Sequence, residues 1–590
     1  MRAFQKRAQP LVATAAIAIA SAAHDAGAQM LPDTGAAAAR TAQRRFESYR
    51  KARLPIELRS SADCETRIGR LCYWNSNEDG PAPEEPREIG RERAALVAKL
   101  AAVDSASPDT WVSGQLVRYL VESHRPEDAV AAARRCGRGG ADTTTAGDVA
   151  SPSSSWWCAA VRGYALHAAG DDAAAASAFD SALAAMPDTL RCRWTDVSFW
   201  LDGDAAHHFA SLGCGAARER EARRVWWLSR PLLAAREGDD ALAEFLARRT
   251  LATMFASSAT PPYATSWGSD VEEVGIRYGW PTAWSREPAP IYQPLNENII
   301  GHEPRPAHAF VPAPRALDDP TRAADGDWTL EARDTRSRYA PAYADSFFVL
   351  PHQLARFRRG DSSLVVAAYD VAGDDAWAHG PLRAAFALET GPDSTLALEV
   401  RDDAPPRGAL LLRAPARSAL AGVELYSATA RRAARSRYGV APLAPDAAVS
   451  DLLLVRADGY ADAAIADLAD ATARALGRPA ITEGESVGLF WETYVTPTVE
   501  APLAVSLTIV PTSLSLAQRL AIALRLAERP TPMTLKWDDT GRPEGPAGHV
   551  MVLHTDGVPS GHYRLELSVS GGGLERAAVT SREIEISGKR

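Results

Sequence analysis

The sequence predicts a multidomain chain whose N-terminal half is α-helical and whose C-terminal half is built from antiparallel β-strands. The chain has 590 residues, more than a single hydrophobic core can organise, so three or four domains are expected. Residues 89–223 are rich in alanine and place apolar residues at helical spacing. After Trp328, short alternating runs are separated by clusters of Gly, Asp and Pro, which is typical of antiparallel strands.

Residues 1–28 have the parts of a secretory signal peptide. A basic start precedes an apolar run at 11–23, and small residues provide a cleavage site near Ala28. The apolar run is too short to cross a bilayer, and no later stretch is long enough. We therefore expect a bacterial protein that is periplasmic or secreted, with no integral membrane segment after cleavage.

The balance of charge argues against nucleic acid as a partner. The formal net charge of the chain is −9, and removal of 1–28 takes away three basic residues and one acid, which makes it −11. An excess of acids repels a phosphate backbone. The expected partner is a protein or an envelope polymer. No cofactor is expected, and the oligomeric state stays open.

All six cysteines lie in the first 214 residues. An even number of cysteines in an exported chain favours disulfides over free thiols. We expect sequence neighbours to pair, so that each bond closes a local loop: Cys64–Cys72, Cys136–Cys158 and Cys192–Cys214. A zinc site is the weaker alternative, because the sequence has no closely spaced C-x-x-C pair.

The segment 29–88 is expected to contain a basic helix and a linker. Residues 40–53 carry six basic side chains, with Phe46 and Tyr49 as apolar contacts. Such a run usually forms a solvated face, and binding to an anionic surface is the alternative. Residues 78–87 are rich in proline and acids, which favours a loop.

Part of the helical domain, 89–223, resembles the tetratricopeptide repeat, a pair of antiparallel helices. The resemblance is carried by residues at the offsets of that repeat: Gly163, Leu166, Gly170, Asp171, Ala175, Phe179, Ala182 and Pro187. Small residues let two helices approach, Phe179 fills the groove between them, and Pro187 stops the second helix. A fainter unit covers 111–136, and 137–155 is an expected surface loop. The first place to seek a partner is the groove around Arg118, Tyr119, Arg162 and His167.

Residues 224–287 are expected to form a small α+β module. Apolar residues at 241–255 have helical spacing, and two prolines end that helix. Alternation at 271–278 favours a short strand, ended by the Gly and Pro that follow.

Three ordered blocks of this module resemble the GWxTD domain, named for Gly-Trp-x-Thr-Asp and found in exported bacterial proteins. The blocks are Trp226-Trp227 with Arg230-Pro231, then Ser266-Trp267-Gly268-Ser269-Asp270, then Ile276-Arg277-Tyr278-Gly279-Trp280-Pro281. That family has no established reaction, so the resemblance implies a fold and no catalytic residues. The motif positions are Trp267, Asp270, Tyr278, Gly279, Trp280 and Pro281. Packing is the alternative role, with the tryptophans forming a small core and Asp270 capping a turn.

Residues 288–327 are rich in proline and are expected to form a linker. His302, Glu303 and His308 are candidate metal ligands within it, but prolines between them prevent presentation on one helix. The H-E-x-x-H motif of metalloproteases is absent from the sequence. A metal-dependent hydrolase is therefore the weakest functional hypothesis.

The β-rich half is expected to divide into a β-sandwich at 328–445 and a second β-rich domain at 446–590. Short strands with turns at near-regular spacing favour antiparallel sandwiches. In the second domain, residues 461–476 and 515–526 are expected to be helical insertions. Residues 561–569 alternate strictly between polar and apolar side chains, as a half-buried strand does.

No catalytic motif stands in a fitting context. Glu483, Glu485 and Glu492 surround Trp491, but we expect Glu492 to be a single solvent-facing acid beside a core aromatic. The leading hypothesis is an exported, non-enzymatic interaction or scaffold protein of the bacterial cell envelope.

A carbohydrate-binding or carbohydrate-active protein is the alternative hypothesis. Eleven of the 15 tryptophans lie between residues 74 and 284, although packing between alanine-rich helices also requires bulky side chains. The structural observation that would count against a protein that only presents surfaces is a cavity in which distant ionisable groups converge.

Overall fold

The computed structural model describes residues 34–57, 64–74, 81–137, 154–234, 239–287, 299–305, 307–331, 337–378, 380–457, 465, 467–495, 502–513, 524–525, 531–539 and 546–588. Within these ranges a helical N-terminal region is followed by a sheet-rich C-terminal region with several antiparallel sheets. This confirms the predicted order of helices and then strands. The predicted signal peptide and most of the predicted insertion at 515–526 lie outside the described residues.

The helices are concentrated before residue 280. They are α1 Thr34–Arg53, α2 Arg87–Ala106, α3 Thr110–Glu122, α4 Pro126–Ala133, α5 Ser154–Ala168, α6 Asp172–Ala185, α7 Asp188–Trp194, α8 Gly203–Ser211, α9 Ala216–Ser229, α10 Asp240–Ala256, α11 Ser269–Tyr278, α12 Pro314–Asp318 and α13 Leu468–Ala473. Among the described residues, none of the helices combines the length and apolar character that a bilayer crossing requires.

The helices pack through small residues, which let them approach closely, and through tryptophans, which fill the remaining space. A Cβ on Gly163 would lie 2.6 Å from the ring of Phe179, so glycine at this position lets α5 and α6 approach closely. Bulky rings fill the space that alanine leaves open, and Trp156 stands edge-on to both Trp157 and Trp194. Most of the tryptophans of this region are therefore used for packing.

The predicted strand at 271–278 is wrong, because these residues form α11. Both periodicities fit the apolar positions, but the ends of the segment favour a helix. Asp270 and Glu272 occupy the first turn and Arg277 the last, as the helix dipole prefers. Gly279 then ends the helix with a φ of 81°, in the left-handed region that glycine adopts without strain.

A small sheet joins the N-terminal segment to the end of the central module. Its strands are β1 Thr66–Ile68, β2 Leu71–Trp74, β3 Ala283–Arg286 and β4 Ile299–His302, in the order β1-β2-β4-β3. Strand β4 and helix α12 belong to the segment that the sequence assigns to a linker. Phe310 and Leu317 of that segment are buried in the core of the helical region, because proline ends regular structure without preventing burial.

The structure contains the three disulfides expected from sequence neighbours: Cys64–Cys72, Cys136–Cys158 and Cys192–Cys214. No cysteine is free. Three disulfides in one chain are compatible with an extracellular or periplasmic protein.

The remaining strands follow residue 345. They are β5 Ser346–Val349, β6 His352–Arg359, β7 Ser362–Asp370, β8 Leu382–Gly391, β9 Ser394–Ala404, β10 Arg407–Pro415, β11 Ala419–Ser427, β12 Arg432–Val440, β13 Leu453–Arg456, β14 Ala480–Thr482, β15 Ser486–Thr493, β16 Leu503–Ser513, β17 Met533–Asp539, β18 Ala547–His554, β19 Gly561–Gly571 and β20 Ala578–Ser587. They form four sheets with the orders β5-β12-β11-β8-β9, β10-β7-β6, β13-β15-β18 and β14-β20-β19-β16-β17.

Apolar clusters lie between successive sheets of this region. One cluster joins the first two sheets and another joins the last two. A third, which includes Phe357 of β6 and Phe490 of β15, lies between the two three-stranded sheets. Arg359 reinforces this contact by binding both carboxylate oxygens of Glu492 at 2.6 and 2.7 Å. Glu492 is thus a buried ion-pair partner and not the solvent-facing acid that the sequence predicts.

Buried charges attach the helical region to the first of these sheets. Glu424 of β11 accepts hydrogen bonds from the backbone N–H groups of Leu233 and Ala234 at 2.6 and 3.1 Å. Arg437 of β12 binds Glu424 at 3.1 Å and donates to the carbonyls of Arg230 and Pro231. We call these contacts the docking joint. They satisfy the carbonyls that follow α9, which would otherwise be buried without partners.

Candidate functional site

A large cleft lies between the helices and residues 278–282 and 303–305. It has two adjoining chambers with volumes of about 290 and 610 Å³. His167, Ala168, Glu244, Arg248 and Arg305 line both chambers. The larger volume lies within the range of about 300–1,000 Å³ that is typical of ligand sites.

The base of the cleft is a buried cluster of charges centred on Glu47 of α1. Its carboxylate, which is fully buried, accepts hydrogen bonds from Arg50 at 2.7 Å, from Arg118 at 2.8 Å and from the backbone N–H of Tyr263 at 2.8 Å. The hydroxyl of Tyr119 also donates to Glu47. Two arginines are buried here only because carboxylates compensate them.

Glu122 at the end of α3 extends this cluster to the wall of the cleft. It binds Arg50 and Arg118, each at 2.8 Å. Burial by itself raises the pKa of a carboxyl group, but the nearby arginines Arg118, Arg50 and Arg93 outweigh it and lower the pKa of Glu122 to about 2. Glu122 therefore stays ionised at neutral pH.

His167 lies between two carboxylates where the chambers meet. Its Nδ1 is 3.0 Å from Asp172 and its Nε2 is 2.6 Å from Glu244. Burial by itself lowers the pKa of His167, but the hydrogen bonds with these two acids outweigh it and raise the pKa to about 10. The ring is thus a cation at neutral pH. Glu244 also accepts from Arg248, and these cations hold the pKa of Glu244 well below its usual range against the opposing effect of burial.

The contacts of Arg248 account for the glycine at position 279, one of the motif positions given above. Its guanidinium donates to the carbonyls of Ile276 and Arg277 at the end of α11, at 2.9 and 3.2 Å, and to the carbonyl of Arg338 at 2.6 Å. A Cβ on Gly279 would lie 3.3 Å from a guanidinium nitrogen of Arg248. The motif glycine therefore permits both the left-handed turn and the close approach of this arginine.

An aromatic wall faces these charges. Phe255, Tyr263 and Trp280 line the larger chamber. The ring centroid of Trp280 is 4.5 Å from that of Phe255 and 4.9 Å from that of Trp284. Trp280 remains partly exposed, so one part of its surface packs in the wall and another is available to the cleft.

The rim carries two further ion pairs. Arg305 binds both carboxylate oxygens of Glu303 at 2.6 and 2.7 Å, and its own side chain is 64% exposed. Arg93 pairs with Glu85. Arg305 and Arg93 are therefore each neutralised by an acid that is close in sequence. Glu303 is two residues from Arg305, and Glu85 is eight residues from Arg93.

The residues of the expected partner groove fall in different places. His167 lines the cleft, whereas Arg118 and Tyr119 are fully buried beneath it. Arg162 is exposed on α5 and lines neither chamber. The burial of Arg118 and Tyr119 depends on Glu47 of α1, a helix that the sequence predicts to be basic and solvated.

Four of the six motif residues line the cleft, and the other two make contacts outside its lining. Tyr278 lines the smaller chamber, and Gly279, Trp280 and Pro281 line the larger. Trp267 packs against Phe255 at a centroid distance of 5.6 Å. Support comes from Asp270, which accepts from the backbone N–H of Arg70 at 3.3 Å and is also 3.3 Å from its guanidinium. Asp270 thereby ties α11 to the turn of the disulfide-closed hairpin.

The three candidate metal ligands do not converge. His302 binds the hydroxyl of Ser285 at 2.9 Å, and Glu303 is paired with Arg305. His308 packs against the ring of Phe347, and burial lowers its pKa. In the part of the chain that the structure describes, no three His, Cys, Asp or Glu residues are grouped as metal ligands.

Sequence reasoning missed most of the charged residues of the cleft. Glu47, Glu122, Glu244, Arg248 and Arg305 come from four separate segments, with Glu244 and Arg248 both on α10. The one available signal was Glu47, a lone acid within a basic helix otherwise predicted to face solvent. A single acid three residues before an arginine on a half-apolar helix indicates a buried pair as readily as an exposed one.

Asp240, at the start of α10 close to this cleft, predicts a pH effect on stability. Burial, with Asp239 and Asp172 nearby, raises its pKa from 3.8 to about 8. The folded protein then binds more protons than the unfolded chain between these two values, so stability falls as pH rises through that window. From about pH 5 to about pH 7.5, we expect the free energy of unfolding of the native protein to fall relative to that of Asp240→Asn by up to about 1.4 kcal/mol per pH unit.

Urea unfolding of both proteins at several pH values measures this difference. Both proteins keep His167 and Asp239, so the difference between their profiles isolates the carboxyl group of Asp240 together with its interactions with Asp239 and Asp172. Parallel pH profiles for the two proteins would show that Asp240 is ionised in the folded state throughout.

Comparisons with known proteins show no family for this chain. No protein-family model matches the chain, and no curated protein matches it. Among solved structures, the crystal structure of Salmonella alpha-2-macroglobulin reacted with methylamine matches with a TM-score of 0.14 and 11% sequence identity. The match covers 40% of this chain and 16% of that chain, and a likeness this weak bears on neither fold nor function.

Proposed function

We propose that this chain is an exported binding protein of the bacterial cell envelope that holds a segment of a protein or an envelope polymer in the cleft. The observation that carries the proposal is the convergence of paired charges and an aromatic wall, from segments throughout residues 47–305, on one cavity of ligand size. This goes beyond a frame that only presents surfaces, since the distant ionisable groups meet in a defined site.

The protonation states in the cleft favour binding over acid catalysis. A general acid needs a raised pKa, so that it carries a proton at neutral pH. Glu122 and Glu244 are instead held ionised by arginines, and His167 is held as a cation by two acids. Groups fixed in these states can orient a ligand but are poorly suited to exchange protons with it.

The modules proposed around the cleft follow the resemblances in the sequence. We propose that α5 and α6 form a tetratricopeptide-like hairpin, supported by the packing of Phe179 on Gly163. Residues 224–287 would be a GWxTD-like module, supported by the roles of Gly279 and Asp270. The sheets of 328–445 and 446–590 would be two β-sandwiches joined face to face, supported by the apolar clusters between them.

A steric block of the cleft tests the proposal. Ala168 lines both chambers, so Ala168→Trp would place an indole where the chambers meet and obstruct the cleft without removing any side-chain hydrogen bond or ion pair. We expect the immobilised mature chain to retain a protein or polymer from envelope extract, and the blocked variant to lose at least nine tenths of it. Retained material is measured by protein staining and by total sugar.

The matched control is Ala184→Trp, which places the same side chain at an exposed position of α6 that lines neither chamber. This variant should retain as much material as the native chain. Equal retention by the blocked variant and the control would contradict a role for the cleft.

Carbohydrate binding is the second candidate function. It is favoured by Trp280, which is partly exposed in the wall of the larger chamber, with Tyr263 and Phe255 beside it. Aromatic faces bind the apolar faces of sugar rings.

A further inference from the structure

Five of the cations that line the cleft are paired with acids. Arg50 binds Glu122, Arg305 binds Glu303, Arg93 binds Glu85, Arg248 binds Glu244, and His167 binds Glu244 and Asp172. All four lining carboxylates take part in these contacts. Arg338, a further lining arginine, is buried and has an interaction of its own. The pattern is one of interleaved donors and acceptors in which every lining carboxylate already has a cationic partner.

Such pairing works against a ligand that carries a net charge. An anionic group that binds one of these paired arginines meets the repulsion of the carboxylate already in place, or must displace it. Breaking a buried pair leaves the other partner uncompensated in a region of low polarity. A cationic group faces the same difficulty, because each acid already has an arginine or histidine. A neutral ligand avoids both penalties.

Hydroxyl-rich ligands match the groups that remain available. A hydroxyl both donates and accepts, so it can bridge a guanidinium and a neighbouring carboxylate without displacing either. Two adjacent hydroxyls of a sugar ring are spaced to bind two atoms of one planar guanidinium or carboxylate. No strand edge lines the described part of the cleft, so a peptide could not be held there by strand addition.

The aromatic wall supplies the other half of a sugar site. One face of a pyranose ring carries mainly C–H groups and packs on an aromatic ring. The partly exposed Trp280 is fixed against Phe255 and Trp284, so its orientation is set before a ligand arrives. Preorganisation of this kind lowers the entropy lost on binding.

Taking the binding function proposed above as given, we propose that the ligand of the cleft is an uncharged oligosaccharide segment, stacked on Trp280 and hydrogen-bonded to the ion pairs Arg305–Glu303 and Arg248–Glu244.

The test measures equilibrium binding of the purified mature chain to neutral oligosaccharides, acidic polysaccharides and acidic peptides by titration calorimetry. We expect neutral oligosaccharides to bind and Trp280→Ala to weaken that binding at least tenfold. Affinity should change less than twofold when salt is raised from about 0.1 to about 1 M, because screening acts on charged ligands. Trp537→Ala, which removes a partly buried tryptophan far from the cleft in sequence, should leave affinity unchanged.

Because Trp280 also packs in the wall, Ala168→Trp provides an independent variant that keeps the wall intact and should abolish binding. Salt-sensitive binding of an acidic polymer or peptide, lost in Ala168→Trp, would overturn the neutral-sugar inference while leaving the binding function standing. Binding of neutral peptides alone would have the same consequence. If no ligand binds in a way that Ala168→Trp abolishes, both the inference and the proposed function are overturned.

Discussion

Replacing Glu47 with alanine should lower the free energy of unfolding by about 3–5 kcal/mol, because it leaves buried arginines without their carboxylate. Glu47 is the common partner of Arg50 and Arg118, at 2.7 and 2.8 Å, and both arginines are almost fully buried. It also accepts the backbone N–H of Tyr263, which would lose its buried partner. Urea denaturation followed by tryptophan fluorescence measures the loss.

The matched control is Glu92→Ala, which removes an exposed acid from the middle of α2. Its effect should stay within about 0.5 kcal/mol, as is usual for surface positions. Glu47→Gln should fall between the two, since it keeps the shape and loses the charge. A Glu47→Ala protein as stable as the control would mean that Arg50 and Arg118 find other partners or water.

Replacing Glu424 with alanine should cost about 3–5 kcal/mol in the docking joint, again because a buried arginine loses its counter-charge. Burial already lowers the pKa of Arg437, and Glu424 is the main group that opposes this effect. The substitution also removes the acceptor of two backbone N–H groups after α9. We expect the helical region and the sheets to unfold at separate urea concentrations in this variant.

Glu583→Ala, at an exposed position of β20, is the control for this change. It should leave the unfolding profile of the native chain intact. Glu424→Gln retains an acceptor for the backbone and should recover part of the loss. If Glu424→Ala unfolds at the same urea concentration as the native chain, the docking joint contributes little to the attachment.

The disulfides show which parts of this fold can be predicted from sequence. Each bond joins neighbours separated by 8 or 22 residues, so the short loop itself favours the pairing. The order of helices and strands was equally accessible, because periodicity and turn residues are local properties. The strand predicted at 271–278 failed because two periodicities fitted one short segment, and the charges at its ends decided for the helix.

Strands that are rich in arginine could not be predicted from periodicity and turn residues. Strands β6 and β12, which carry three arginines each, are not apparent from apolar alternation. Arg435 and Arg437 are nonetheless buried, since carbonyls of residues 230 and 231 receive their hydrogen bonds. An arginine can be buried in a core only where other parts of the chain provide hydrogen-bond acceptors for it.

By itself, the sequence determined the succession of helices and strands, the disulfide loops and the break in regular structure at Gly279, since each depends on residues close together in the chain. Only the tertiary structure decided where the charges go. Glu47 meets Arg118 across 71 residues and His167 meets Glu244 across 77, and both pairs are buried because the other partner is there. The charged groups of the cleft can be buried because they neutralise one another, and no single segment contains both partners of these pairs.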